Sequence, residues 1–294
     1  LKIATYRRDG RRAVGLVDPK KGTLSPFDLP EAEMQSGVAC LIGRDRLPAT
    51  KAELALSDVT LEAPLPRPRR NIFCVGKNYY DHAEEFSKSG FDSSAAAGHI
   101  PKVPIVFSKV PESVVGPGAP ILIDPEVSTA IDYEVELTVI IGREGRNIPK
   151  EKALDHVWGY TIVNDVTARD IQGRHSQWLL GKSQDSFCPM GPWAVTRDEI
   201  DLADTAVRTF VNGEKRQDSN TGLLIFDVPT IIAAVSNGIT LLPGDVIATG
   251  TPAGVGIGFD PPKYLKDGDV VTLEIEGIGK LENTCRVMAP AMAK

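Results

Sequence analysis

Apolar and polar positions alternate with a period of two along many short stretches of this 294-residue chain, the pattern of half-buried strands. Lys2–Tyr6 alternates, a charged turn Arg7–Arg12 follows, and Ala13–Val17 alternates again, which predicts a hairpin. Residues 18–60 show only short, mixed periodicities. Further strands are predicted at 71–75, 104–108, 133–141, 158–164, 207–211, 242–249 and 270–275, with a C-terminal hairpin over 278–287 through Gly277. Asn212-Gly213 is a tight-turn signal between extended segments. Short helices are predicted at 79–87, 149–156, 167–177 and 228–237, the last with Pro229 in its first turn. Residues 89–104 are rich in Ser, Ala and Gly and read as a mobile loop. Strands dominate and no regular strand–helix alternation appears, so a doubly wound sheet is excluded in favour of a mostly β, α+β fold. Leu61–Arg70 holds three prolines, which disfavour both helix and central strand. A domain boundary is expected there, dividing a small N-terminal domain, 1–68, from a larger one, 69–294.

Tyr133–Ile141 is the strongest strand. Val135, Leu137, Val139 and Ile141 share one face, and Glu134, Glu136, Thr138 and Ile140 share the other. Two like charges side by side on one strand repel, and if buried they call for a cation. A solvated strand face is the competing reading. Asp165 ends the next apolar strand; a third carboxylate beside the pair would complete an all-oxygen site of the kind that takes Mg²⁺, Mn²⁺ or Ca²⁺ rather than zinc.

Other residues carry candidate chemistry. His82 and Glu85 are three apart on a predicted helix, so the carboxylate can orient the imidazole as a general base. A solvated helix surface explains the same spacing. Lys182, between Gly181 and Ser183, could stabilise an oxyanion or enolate. Gln172 could bind a substrate carboxylate, and Lys109, ending a strand, could meet substrate charge. The Gly-rich run 249–256, with Gly250 and Thr251, lacks a phosphate-loop lysine; its amides and Thr251 are expected to line a pocket beside a substrate anion. His99, His156 and His175 are read as structural or solvated. No G-x-S-x-G elbow supports a serine hydrolase.

Composition narrows the classes. The hydrophobic and charged fractions, 42% and 24%, are those of a soluble globular protein. The net charge is −6, and the basic run Arg67–Arg70 is broken by Pro68, so a nucleic-acid partner is not expected. No apolar run approaches the roughly 20 residues of a membrane helix. Four scattered cysteines without a C-x-x-C pair argue against a zinc module and for a reduced, cytoplasmic setting.

Five segments, VGKNYYDHAEE (75–85), DYEVELTVIIG (132–142), NDVTARDIQ (164–172), QWLLGKSQDSFCPMGP (177–192) and ATGTPAGVG (248–256), together resemble the fumarylacetoacetate hydrolase superfamily, in its order and spacing. The resemblance covers about residues 70–290. It implies a mixed β-sandwich roll with a deep site at one end, preceded by a small variable domain. It implies Glu134, Glu136 and Asp165 as Mg²⁺ ligands, Lys182 in the pocket, His82 and Glu85 on a lid, and a homodimer.

On that footing a 2-oxo acid would chelate the metal through carboxylate and keto oxygens. The expected reaction is hydrolysis of a carbon–carbon bond in a 3-acylpyruvate or related dioxo acid through an enolate, with His82 and Glu85 activating water. Decarboxylation of oxaloacetate, or isomerisation of a hydroxyheptadienedioate, would use the same enolate. A non-catalytic metabolite-binding protein is the third reading.

Overall fold

The computed structural model describes residues 1–88, 90 and 100–289. It is mostly β with short helices, in the class expected from the alternation. Two sheets carry it. Among the described residues the larger has twelve strands and the smaller five.

The large sheet begins with the predicted hairpin, Lys2–Arg8 against Arg11–Asp18. Lys2–Arg8 then pairs with Cys188–Thr196, so the N-terminal segment extends the edge of the same sheet. Beyond Cys188–Thr196 the order runs through Val157–Asn164, Val135–Ile141, Val246–Ala248, Ile72–Gly76 and Ile105–Lys109. The smaller sheet orders Glu214–Asn220, Ala206–Val211, Val270–Ile275, Gly279–Val287 and Ile121–Ile123. Its hairpin turns at Asn212-Gly213, both with positive φ, as a tight two-residue turn requires.

The strand Val135–Ile141 is buried along its whole length. Its two faces enter different cores. Val135, Leu137, Val139 and Ile141 pack in a large cluster with Val207, Leu273 and Ile275 of the smaller sheet. Ile140 joins a second cluster with Ile3, Met190 and Val246. Each fully buried aliphatic side chain contributes roughly 1.5–3 kcal/mol. The solvated-face reading of Glu134 and Glu136 is therefore excluded.

Most predicted elements form close to their expected limits, with two exceptions. The helix expected over 167–177 is broken: Thr167–Ala168 pairs with Ile131–Asp132, and helical turns occupy only Arg169–Arg174 and Leu179–Lys182. Thr167 turns its hydroxyl back onto the Asp165 carbonyl at 2.8 Å, a local bond that competes with helix. The strand expected over 242–249 shortens to Val246–Ala248, because Asp245 caps the preceding turn through the Leu242 amide. Residues 89 and 91–99, within the stretch read as a loop, and His99 lie outside the described residues. No described helix is long and apolar enough to cross a membrane.

Candidate active site

Sheet register brings the three carboxylates together. Val135 pairs with Asn164, which sets Glu134 beside Asp165; the Asp165 amide donates to the Glu134 carbonyl at 2.9 Å. The Asn164 side chain accepts from the Glu134 amide at 3.0 Å. Two residues on, Glu136 faces the same side. One ligand atom from each of Glu134, Glu136 and Asp165 lies within 4.8 Å of the others, and all three residues are buried.

Their surroundings differ. Asp165 meets two ammoniums, Lys109 Nζ at 2.6 Å and Lys182 Nζ at 2.7 Å. Glu134 meets Lys182 Nζ at 2.8 Å and Arg169 Nη2 at 2.7 Å. The Arg169 contact brings charges together without hydrogen-bond alignment. Glu136 accepts from the Gly250 amide at 2.8 Å and has no ion-pair partner among the described residues. Burial raises the Glu134 carboxyl, but Lys182 and Arg169 outweigh it and bring the group down to about 2. Burial, together with the charges of Asp165 and Glu134, pushes Glu136 well above the usual carboxylate range. A hard divalent cation among these oxygens relieves that crowding, and the donor set suits one. The residues fit the cation that the family resemblance implies.

Gly250 must be glycine. Its φ is +104°, and a Cβ would sit 2.7 Å from Asn78 Cβ and 3.0 Å from the Val75 carbonyl. That left-handed geometry turns its amide onto Glu136. The amide expected to face substrate is thus committed to a candidate ligand. Thr251 lines the cavity and is held by Gln217, whose Nε2 donates to Thr251 Oγ1 at 2.9 Å.

A narrow cavity opens above the carboxylates, lined by Glu134, Glu136, His82, Lys182, Arg169, Gln172, Lys77, Thr251 and the aromatic rings of Phe86, Phe107 and Trp178. His82 and Glu85 lie on the helix Tyr80–Lys88 as predicted. His82 Nδ1 lies 3.2 Å from Glu85 Oε2, leaving Nε2 for the cavity. Glu85 Oε1 accepts from the Gly254 amide at 3.0 Å. A Cβ at Gly258 would fall 1.9 Å from that same oxygen, so glycine there lets the helix dock. Lys182 is buried; burial would strip its proton, but Asp165 and Glu134 reverse this and raise the ammonium above its ordinary value. It is a fixed cation. Gln172 Oε1 accepts from Arg169 Nη1 at 3.1 Å.

Lys109 is corrected. Expected to meet substrate charge, it is wholly buried and donates to Asp165, to the Val166 carbonyl at 3.0 Å and to the Lys182 carbonyl. Three partners use all three of its donors, so it supports Asp165. His156 hydrogen-bonds the Arg143 carbonyl at 3.0 Å, and neither it nor His175 lines this cavity. Sequence reasoning missed Arg169, Asp132 and Lys77, which is buried with a positive φ of 54°. All three lie inside the quoted segments, but each is a single charged residue without a spacing to mark it.

Comparison with known proteins adds the relationship. Residues 71–286 match the family model described as fumarylacetoacetate (FAA) hydrolase C-terminal. The chain is 43% identical over 307 residues to oxaloacetate tautomerase YisK of Bacillus subtilis (strain 168), covering 96% of this chain and 99% of that protein. Among solved structures, a fumarylacetoacetate hydrolase from psychrophilic Exiguobacterium antarcticum superposes with a TM-score of 0.83 at 44% identity, covering 98% of this chain and 99% of the other. Maleylpyruvate hydrolase from Sphingobium sp. SYK-6, solved with manganese (II) ion and pyruvate, gives 0.78 at 27% identity, covering 98% and 100%. Sequence, fold and the three-carboxylate site agree: the chain belongs to the fumarylacetoacetate hydrolase family.

Proposed function

We propose that this chain is a divalent-metal enzyme, using Mg²⁺ or Mn²⁺, that interconverts the keto and enol forms of oxaloacetate or a closely similar 2-oxo acid. The observation that carries this is the convergence on one small cavity of Glu134, Glu136, Lys182 and His82, with buried Asp165 grouped with the two glutamates and Glu85 against His82. The relationship to an oxaloacetate tautomerase over nearly the full length of both chains supports it over the other enolate reactions.

Glu134, Glu136 and Asp165 would hold the cation, whose chemistry is to polarise the 2-oxo group and favour its enolate. His82 takes a proton from C3 as base, the electron pair forms the C2–C3 double bond, and the C2 oxygen gains a proton. Glu85 orients the imidazole through its contact with Nδ1. Lys182, which Asp165 and Glu134 hold as an ammonium in the metal-free structure, donates to oxygen as negative charge develops. Arg169 and Gln172 present donors for a carboxylate. Phe86, Phe107 and Trp178 keep the wall dry, which strengthens these interactions.

A second reading keeps the hydrolysis expected from the sequence. The His82–Glu85 pair could instead activate water against an acylpyruvate, and a relative of that kind, maleylpyruvate hydrolase, shares the fold. One experiment separates the two. Oxaloacetate enol decay is followed by ultraviolet absorbance, with pyruvate release measured in parallel for oxaloacetate and acetylpyruvate. Accelerated decay without pyruvate, abolished by EDTA and restored by Mg²⁺ or Mn²⁺, is expected. Pyruvate from acetylpyruvate at a comparable rate favours hydrolysis, and pyruvate from oxaloacetate favours decarboxylation. Turnover that survives EDTA refutes the metal assignment. A homodimer, implied by family resemblance, belongs to the same proposal and is checked by analytical ultracentrifugation.

A further inference from the structure

Asp132 lies outside the carboxylate triad, yet it is completely buried and its bonds are all accounted for. Oδ1 accepts from the Tyr133 amide at 2.8 Å and the Gly256 amide at 2.6 Å. Oδ2 accepts from the Ile257 amide at 3.0 Å and Arg169 Nε at 2.8 Å. Four donors fill the four acceptor sites of a carboxylate.

Two structures meet at this one group. The first is the loop 254–258, which receives the helix Tyr80–Lys88: the Gly254 amide holds Glu85, and Gly258 leaves room for its carboxylate. The second is Arg169, whose guanidinium spans three residues. Nε binds Asp132, Nη1 binds Gln172, and Nη2 lies 2.7 Å from Glu134 Oε1. The Nη2 contact is misaligned for a hydrogen bond, whereas the Nε contact to Asp132 is a charge-assisted one. The guanidinium is thus anchored on Asp132 and only leans on Glu134. Without the Asp132 charge, Glu134 is its one remaining ion-pair partner among the described residues.

We propose that Asp132 is a positioning residue that fixes the orientation of Arg169, so that its contact with Glu134 stays unaligned and that carboxylate stays available to the cation, and that it also fixes the loop on which Glu85 docks. The assignment rests on the metal-site reading above. Loss of a ligand's own partner typically changes metal affinity by about 10- to 100-fold, and Asp132 acts through such a partner, Arg169.

The test uses Mn²⁺ alone, by calorimetry, with hydrogen exchange of the segment 254–258. Asp132→Asn should weaken Mn²⁺ binding at least about 10-fold and speed exchange in the loop. The double variant Asp132→Asn with Arg169→Gln should recover most of the Mn²⁺ affinity, since the competing guanidinium is gone, while loop exchange stays fast. A residue that serves stability alone gives no such rescue. Wild-type Mn²⁺ affinity in Asp132→Asn, or a double variant no better than the single one, overturns the proposal. If the wild type itself binds no Mn²⁺, the metal reading falls and takes this assignment with it. Should Asp132→Asn not fold, the wild type carries the test. Mn²⁺ at Glu134 frees Arg169 to tighten on Asp132 and slows exchange of the Gly256 and Ile257 amides; unchanged exchange overturns the assignment.

Discussion

Lys109→Met discriminates between the role expected of Lys109 from sequence and the one its surroundings give it. Methionine keeps most of the side chain's length and volume and removes only the ammonium. In the wild type that ammonium contacts Asp165 Oδ1 at 2.6 Å with neither side chain exposed to solvent, and it also serves the Val166 and Lys182 carbonyls. Its loss leaves a buried carboxylate short of one of two cations and two carbonyls short of a donor. Removing one partner of a buried pair costs about 3–5 kcal/mol. For a chain of this size each kcal/mol lowers the melting temperature by about 2 °C. The expected drop is therefore about 6–10 °C in EDTA. Added Mn²⁺ should narrow the gap, because the cation restores positive charge beside Asp165. The assay is differential scanning calorimetry of both proteins, with and without Mn²⁺, followed by kinetics. A melting temperature within about 2 °C of wild type, with the effect confined to a raised KM, would refute the reasoning and return Lys109 to substrate.

Further outcomes follow from the same geometry. His82→Ala should lower kcat by about 10²- to 10⁴-fold and leave Mn²⁺ binding by calorimetry unchanged; lost binding would make His82 a ligand. Burial raises every cysteine: Cys74 well above its usual range, Cys188 and Cys285 to about 12, Cys40 to about 11. Native protein at pH 8 should therefore react slowly with Ellman's reagent and release all four thiols after denaturation; a fast native thiol contradicts this. Glu62 is raised by burial but lowered more by Arg12 and Arg7. A depressed folded value contributes stability above the unfolded carboxylate range and loses it as pH falls through the folded value. Glu62→Gln should lower the melting temperature near pH 7, and the gap should close in acid. A gap that persists below the folded value would exclude the ion pairs as its source.

What the sequence made legible was local. Period-two alternation located the strand Val135–Ile141, and its i, i+2 spacing put Glu134 and Glu136 on one side. The three-residue spacing of His82 and Glu85 was enough for their contact. Long-range electrostatics were not legible. Whether a Glu-x-Glu face is wet or buried depends on what packs over it, and here the covering groups come from Arg169, Lys182 and the Gly250 turn, distant along the chain. Lys109 looked like a free cation at a strand end because its partner, Asp165, is 56 residues away. Asp132 and Arg169 carried no signal: a lone acid and a lone base have meaning only once the Ile131–Asp132 and Thr167–Ala168 pairing sets them side by side. That pairing also broke the helix expected over 167–177, so the missed residues and the misread element share one cause.

The distribution of cations around the triad explains why one Glu-x-Glu pair can contain two different acids. Asp165 and Glu134 each have two positive partners, while Glu136 has a backbone amide. Without a divalent ion, Glu134 is ionised at about 2 and Glu136 is driven upward. Groups pushed apart in this way mark functional sites more often than structural ones. The protein's own lysines and arginine compensate two of the three carboxylates and leave the third short of charge. An added cation therefore gains most from Glu136, and Glu136→Gln, which keeps shape and removes charge, should cost Mn²⁺ affinity while sparing the apo fold. That combination distinguishes a metal ligand from a buried structural acid, since loss of a structural acid would lower the melting temperature of the metal-free protein as well.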